Sequence, residues 1–267
     1  IGSNTTEQHP VFGAMLRQAV ARRGTKLVVA DPRKIEITEF ATLHLRQKPG
    51  TDVALINGLM YIILEKGWQD QEFIDQRTEG YEEFRECQLN YPPEKVAEIT
   101  GLKVEQLYQA AEILALNKPM AVMWAMGITQ HIVGVRNVMD LANLQMLLGN
   151  IGIPGGGVNP LRGQNNVQGA CDMGGLPNVY PGYQAVTYPE AQRKFEAAWG
   201  AALSPKLGLT ITEMMPAAGE GKLRAFYILG ENPVTSDPDS AHIRHCLETC
   251  EFILLQEIFP TETSIYA

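Results

Sequence analysis

Short apolar runs that lead directly into amphipathic helices constrain this chain most. Residues 26–30 form an apolar run ending in Asp31-Pro32-Arg33, and residues 119–126 form another, ending in Gly127. A third run, 223–229, ends in Gly230-Glu231-Asn232-Pro233, and residues 42–45 and 252–255 add two shorter ones. Between them lie segments whose apolar residues recur at helical spacing. Phe12, Met15, Leu16, Ala19 and Val20 follow Pro10 and stop at Gly24. Val53, Ile56, Met60, Ile63 and Leu64 stop at Gly67, and Val138, Leu141, Leu144 and Leu148 mark a third such face. Strand and helix signals that alternate in this way predict an α/β fold on a mainly parallel sheet. Residues 68–117 interrupt the alternation with polar helices near 69–76, 80–88 and 103–116. Further helices are expected at 188–199 and 238–248.

With 267 residues, the chain has material for two domains, each with its own core. Hydrophobic residues at 45% and charged ones at 19% exclude disorder. A net charge of −8 excludes a chain built around a basic nucleic-acid-binding surface. No apolar run approaches the roughly 20 residues that a membrane-spanning helix needs, so no membrane contact is expected of this segment.

The four cysteines, at 87, 171, 246 and 250, form neither a disulfide framework nor the CxxC pairs of a zinc or iron–sulfur site. Reduced thiols and a cytoplasmic location are the expectation. His242, His245, Cys246 and Cys250 fall roughly on one helix face, and a single face cannot wrap a metal tetrahedrally. The first residue is not Met and no closing helix ends the sequence, so a central fragment of a longer protein is expected.

Residues 149–175 carry nine glycines, with Pro154 and Pro160, and no regular element is expected there. A loop of this length in a compact domain is functional or disordered; its Arg, Gln and Asn content favours order around a ligand. The domain boundary is placed inside it, giving domains at 1–164 and 165–267, each doubly wound, mainly parallel and Rossmann-like. In such sheets, ligands bind outside the carboxyl ends of the strands. There Asp31 can accept from ribose or a guanine edge, Arg33 can stack or pair with phosphate, and glycines admit close backbone approach. The chain has no GxGxxG, so a simple NAD site is not indicated. The most informative run is Arg162-Gly163-Gln164-Asn165-Asn166-Val167-Gln168-Gly169-Ala170. Its guanidinium projects beside four amides whose paired donors and acceptors suit a heteroaromatic ring.

This run closely resembles the corresponding segment of molybdenum- or tungsten-dependent formate dehydrogenases, within the molybdopterin oxidoreductase superfamily. The resemblance extends through Gly2-Ser3-Asn4 with His9-Pro10, Asp31-Pro32-Arg33, Gly50-Thr51-Asp52, Trp124-Ala125-Met126-Gly127 with Gln130, Gly230-Glu231-Asn232-Pro233 and Leu254-Leu255-Gln256. It implies a bis-molybdopterin guanine dinucleotide carrying Mo or W, and oxidation of formate to CO2 or the reverse. It also implies a [4Fe-4S] cluster and a Cys or Sec metal ligand upstream of Ile1, and electron-transfer subunits or domains as partners. Lacking these, the segment alone is expected to be inactive.

By the same resemblance, Asn4, Glu7, Asp31, Arg33, Gly50 and Asp52 hold one guanine dinucleotide. Met126, Gly127, Gln130, Gly163 and Gln164 face the pterin, and Asn232, Ser236 and Gln256 contact the second dinucleotide. Arg162 is the catalytic residue that helps hold formate. Guanidinium chemistry agrees, because formate is a small planar anion and arginine offers a fixed fork of donors. The alternative is a non-catalytic scaffold subunit of a respiratory redox complex with the same fold.

Overall fold

The structure, a computed structural model, describes residues 1–267 as two compact units, 1–165 and 166–267. In the first unit the order is α1 (Thr5–Gln8), α2 (Pro10–Arg23), β1 (Val28–Ala30), a 3-10 turn (Glu36–Phe40), β2 (Leu43–Leu45) and α3 (Asp52–Glu65). Helices α4 (Gln71–Arg77), α5 (Tyr81–Gln88), α6 (Pro93–Thr100) and α7 (Val104–Leu116) follow, then β3 (Val122–Trp124), α8 (Met126–Thr129), α9 (Gly134–Leu147) and β4 (Val158–Pro160). Proline at N1 opens α2 without losing a helical hydrogen bond, and Gly24 closes it in the left-handed conformation at φ 69°. No helix of either unit is long and apolar enough to cross a membrane.

Helix α3 is the centre of the first core. It is buried around most of its circumference, with Leu55, Ile56, Met60, Ile62 and Ile63 at or below 1% exposure. These side chains pack with Leu107 and Ala111 of α7, Val96 of α6, and Leu141 and Leu144 of α9. Each fully buried aliphatic side chain contributes about 1.5–3 kcal/mol relative to exposure. Leu45 of β2, Ala30 of β1 and Trp124 of β3 join the same cluster, which fixes the strands against the helices.

In the second unit, α10 (Val167–Asp172) precedes a small antiparallel hairpin, β5 (Val179–Tyr180) with β6 (Gln184–Ala185). Then come α11 (Pro189–Trp199), α12 (Ile211–Gly219), β7 (Ala225–Leu229), α13 (Pro233–Ser236), α14 (Ser240–Glu248), β8 (Phe252–Gln256) and a 3-10 turn (Glu262–Tyr266). Ile228 and Ile253 of the β7–β8 pair turn toward Met215, Ala218, Ile243 and Leu247 of α12 and α14. The alternate residues Tyr227, Leu229, Phe252 and Leu254 are exposed, as the period of two requires when one face is covered.

The fold is mixed α/β, but the expected doubly wound sheets are not formed. The strands make separate pairs, β1–β2, β3–β4 and β7–β8 parallel and β5–β6 antiparallel. The strands of the first unit are three residues long, and each is paired along one edge alone. The glycine-rich stretch 149–175 also differs from expectation, since it holds β4 and α10. β4 forms despite its glycine neighbours because Asn159 donates to the carbonyls of Val122 (3.1 Å) and Gly157 (2.9 Å). Those bonds add side-chain rungs to a short ladder whose Pro160 has no N–H of its own.

Candidate functional site

In the first unit the carboxyl ends of β1, β3 and β4 converge. β3 and β4 are neighbours in parallel register, Trp124 opposite Pro160, and Leu161 donates its N–H to the Trp124 carbonyl at 2.8 Å. The segments that leave these strands are therefore adjacent: Met126 and Gly127 from one, Arg162, Gly163 and Gln164 from the other. Arg162, Gly163 and Gln164 are all exposed, as are Met126, Gly127 and Gln130. The third end is tied in by Gly2, whose N–H donates to the Ala30 carbonyl (3.1 Å) and whose carbonyl accepts from Gly127 (3.1 Å).

Asp31 is buried at the end of β1 and accepts the Arg33 N–H at 2.8 Å, forming an Asx turn that closes the strand. The Arg33 guanidinium, 4.0 Å from the same carboxylate, is exposed. Asp52 is buried at the start of α3 and accepts from Gln47 at 3.0 Å. Asn4 is buried, and its carbonyl accepts from Glu7 and Gln8 at the start of α1; Glu7 and Gly50 are exposed. The six residues expected to grip one dinucleotide thus divide into three buried anchors, Asn4, Asp31 and Asp52, and three exposed ones.

Several side chains that hold these turns escaped the sequence reading. His44 of β2 donates its Nε2 proton to the Asp31 carbonyl at 2.9 Å, and Arg46 Nε donates to the Pro32 carbonyl at 2.8 Å. His131 donates Nε2–H to the Gly127 carbonyl at 2.9 Å. Because a carbonyl only accepts, these contacts set both rings to the tautomer protonated on Nε2. Fully buried Gln145 of α9 donates to the carbonyls of Met120 (2.9 Å) and Gly157 (2.6 Å), and Asn150 Oδ1 accepts from the Met120 N–H at 3.1 Å. Together with Asn159, these amides lock the roots of β3 and β4, and so fix where Arg162 emerges. Gln145 had a legible signal, a polar residue one position beyond Leu144 on an otherwise apolar face.

The amides after Arg162 do not act alike. Gln168 donates to Asp172 Oδ1 and Tyr183 Oη, both at 2.9 Å, while Asn166 takes a left-handed backbone at φ 53° as the N-cap of α10. Gln164 and Asn165 are exposed.

In the second unit, Asn232 is committed to its own fold. It donates to Glu262 at 2.7 Å and accepts from the Thr263 hydroxyl at 2.7 Å and the Thr263 N–H at 3.2 Å. Gln256, the last residue of β8, is exposed and accepts from Tyr227 Oη at 2.6 Å, and Ser236 is exposed on α13. Cys246 is buried with its Sγ 3.4 Å from His242 Nε2, and burial pushes its thiol pKa up, which makes it an inert core thiol.

The molybdopterin oxidoreductase family model matches residues 1–267. The chain belongs to the molybdopterin oxidoreductase family. Among the relatives of this molybdopterin oxidoreductase is the F420-dependent formate dehydrogenase 1 subunit alpha of Methanococcus maripaludis, 45% identical over 99% of the chain and 39% of the relative. Formate dehydrogenase H of Escherichia coli is 44% identical over 98% of the chain and 37% of the relative. The structure also matches acetylene hydratase from Pelobacter acetylenicus with a TM-score of 0.76 at 21% identity, over 100% of the chain and 39% of that protein, which shows the shared fold. The chain thus spans about two fifths of the length of the curated relatives it matches.

The family implies a molybdenum- or tungsten-bearing pterin, and the residues of the first unit fit one. Gly163 is the clearest sign. A Cβ there would meet no protein atom within 4 Å, and the backbone is not left-handed, so the fold itself does not call for glycine. A large planar group lying against the backbone would.

Proposed function

We propose that this chain is the cofactor-gripping part of a formate dehydrogenase, which oxidises formate to CO2 or runs the reverse at a bis-molybdopterin guanine dinucleotide. The observation that carries the reading is Arg162, exposed on the segment leaving β4, next to the Met126–Gly127 turn and followed by Gly163 and Gln164. A guanidinium in that place holds a planar carboxylate by two parallel charge-assisted hydrogen bonds and fixes its orientation. Around it, Met126, Gly127, Gln130, Gly163 and Gln164 line the pterin. Asn4, Glu7, Asp31, Arg33, Gly50 and Asp52 take one dinucleotide, with the Asp31 carboxylate suited to a guanine edge and Arg33 to phosphate.

Ser236 and Gln256 contact the second dinucleotide. Because Asn232 is occupied by Glu262 and Thr263, its turn contributes backbone groups instead of a side-chain amide. When bound, the metal–pterin centre supplies two-electron redox chemistry. Arg162 binds and orients the substrate anion and holds a permanent positive charge beside it. In the longer protein a [4Fe-4S] cluster and partner subunits or domains would supply the route by which electrons leave. The four free thiols suit a reducing, cytoplasmic setting.

The test uses the longer protein. Metal analysis should find molybdenum or tungsten, and formate should reduce an artificial dye. Metal without formate-dependent reduction would refute the substrate; a metal-free protein would favour the scaffold role.

A further inference from the structure

Three residues other than glycine take a left-handed backbone: Asn166 at φ 53°, Tyr183 at φ 57° and Asp239 at φ 59°. Asn and Asp tolerate that conformation, because their short polar side chains bond back to the local backbone. A bulky aromatic residue adopts it at a cost in stability. Tyr183 is therefore the outlier. It closes the three-residue connection Pro181-Gly182-Tyr183 between β5 and β6, directly after Gly182 at φ 74°. A turn alone would be met more easily by glycine or asparagine at 183. Burial does not explain the tyrosine either. Its ring stays 48% exposed and takes no part in the aromatic cluster of Tyr180, Phe195 and Trp199.

The conformation brings the hydroxyl to α10. Tyr183 Oη accepts from Gln168 Nε2 at 2.9 Å, and the same amide donates to Asp172 Oδ1 at 2.9 Å. The bond to Asp172 ties one turn of the helix to the next; the bond to Tyr183 ties the helix to the hairpin. Two further contacts join the same elements. The Gly182 N–H donates to the Asp172 carbonyl at 2.7 Å, filling one of the acceptors that a helix leaves open at its C-terminus. Gly174, two residues past α10, has Pro181 so close that a Cβ would lie 3.0 Å from the Pro181 nitrogen. Helix α10 needs such a tether, since it has six residues, none of them buried, and is too short to persist by itself.

The tethered helix belongs to the run that follows Arg162. Residues 163–165 lead from Arg162 into Asn166, the N-cap of α10, and Gln168 sits in the first turn. We propose that Tyr183 is a positioning residue. Its hydroxyl clasps Gln168 and holds α10 in place, and through the continuous backbone of 162–166 it limits the movement of the Arg162 guanidinium. The consequence for substrate rests on the formate reading above; the clasp itself does not.

Tyr183→Phe removes the hydroxyl and keeps the ring and the turn. In the 267-residue protein it should speed amide exchange at Ala170 and Met173, which donate to the Asn166 and Gly169 carbonyls, with α14 unchanged. The loss of one hydrogen bond corresponds to about threefold or more. Unchanged exchange at these two amides would overturn the clasp.

In the longer enzyme the same variant should raise KM for formate about threefold or more, with molybdenum or tungsten content unchanged. Tyr183→Gly relieves the backbone and also lacks the hydroxyl, so it should show the same raised KM. A parent-like KM in Tyr183→Gly would mean that only the turn matters and would overturn the proposal. Adding Tyr183→Phe to Gln168→Leu should leave KM where Gln168→Leu alone puts it, because the clasp is already lost; effects that multiply would overturn the pairing. Faster exchange with KM and kcat unchanged, in an enzyme that oxidises formate, would overturn the positioning role. An enzyme that ignores formate would refute the formate reading instead, and exchange at Ala170 and Met173 would still decide the clasp.

Discussion

Gly2 and Gly127 lie backbone against backbone: a Cβ on Gly2 would fall 2.8 Å from the Gly127 carbonyl carbon, and one on Gly127 would fall 2.7 Å from the Gly2 Cα. The hydrogen bond from Gly127 N–H to the Gly2 carbonyl depends on that approach. Neither backbone can give way without moving β1 or β3. Gly127→Ala should therefore destabilise the first unit by about 1–3 kcal/mol through overpacking, read as a lower urea midpoint. Gly163→Ala meets no protein atom and should change stability by no more than about 0.5 kcal/mol. In the longer enzyme the same Gly163→Ala should lower bound molybdenum or tungsten. Normal metal content in that variant would remove Gly163 from the pterin wall.

Asp140 on α9 gives a pH-dependent prediction. Burial raises its pKa from 3.8 to about 6, against the opposing effects of the hydrogen bond from Asn57 (2.8 Å) and the charge of Arg136. The folded state therefore holds the proton more tightly than the unfolded chain. That contribution to stability is full below pH 3.8 and is lost as pH rises through 6. Asp140→Asn keeps an acceptor for Asn57 and carries no charge. Its Tm relative to the parent protein should rise between pH 4 and pH 6 and stay level above. A difference that is constant from pH 4 to pH 8 would show that the carboxyl titrates normally.

Much of this architecture is legible in the sequence because the cues are local. Pro10 and Gly24 bracket α2, and the Leu141, Leu144 and Leu148 spacing marks α9. The helix at Pro93–Thr100 was missed although Pro93 and Gly101 bracket it in the same way, because its single fully buried aliphatic, Val96, gives no apolar stripe. The helix at Ile211–Gly219 was missed despite a capping box from Thr210 to Glu213, since Pro216 inside it reads as a breaker. What sequence could not supply is long-range. That His44 closes on the Asp31 carbonyl and His131 on that of Gly127 depends on strand pairing and turn geometry. Asn232 shows the opposite limit. Its motif suggests a ligand contact, while the fold uses its amide to hold Glu262 and Thr263.

Gln145 joins the core to the site. Its amide is the donor to both Met120 and Gly157, carbonyls at the roots of β3 and β4. Gln145→Leu keeps the bulk and removes the donor, leaving the Met120 carbonyl short of a partner in an apolar setting, while the Gly157 carbonyl keeps the Val122 and Asn159 donors. An unsatisfied buried group costs about 1–3 kcal/mol, so the urea midpoint should fall accordingly. Amide exchange at Val158, Asn159 and Leu161 should accelerate more than in α3. Uniform acceleration across the unit would mean that Gln145 contributes to general packing and does not specifically anchor β4.

Arg162 is tested by separating charge from shape. Arg162→Lys keeps a positive charge and loses the planar fork, whereas Arg162→Ala loses both. A hydrogen bond to a charged group is worth about 1.5–3 kcal/mol, which corresponds to ~10–100-fold in binding. In the longer enzyme, Arg162→Lys should raise KM for formate by about tenfold, and Arg162→Ala should lower kcat/KM further. Metal content should be unchanged in both, because the side chain is assigned to the substrate and not to the pterin. Added guanidinium should restore part of the activity of Arg162→Ala, and added ammonium should restore less, since only the former reproduces two parallel donors. If Arg162→Lys matches the parent enzyme in KM and kcat, the fork plays no part in holding formate.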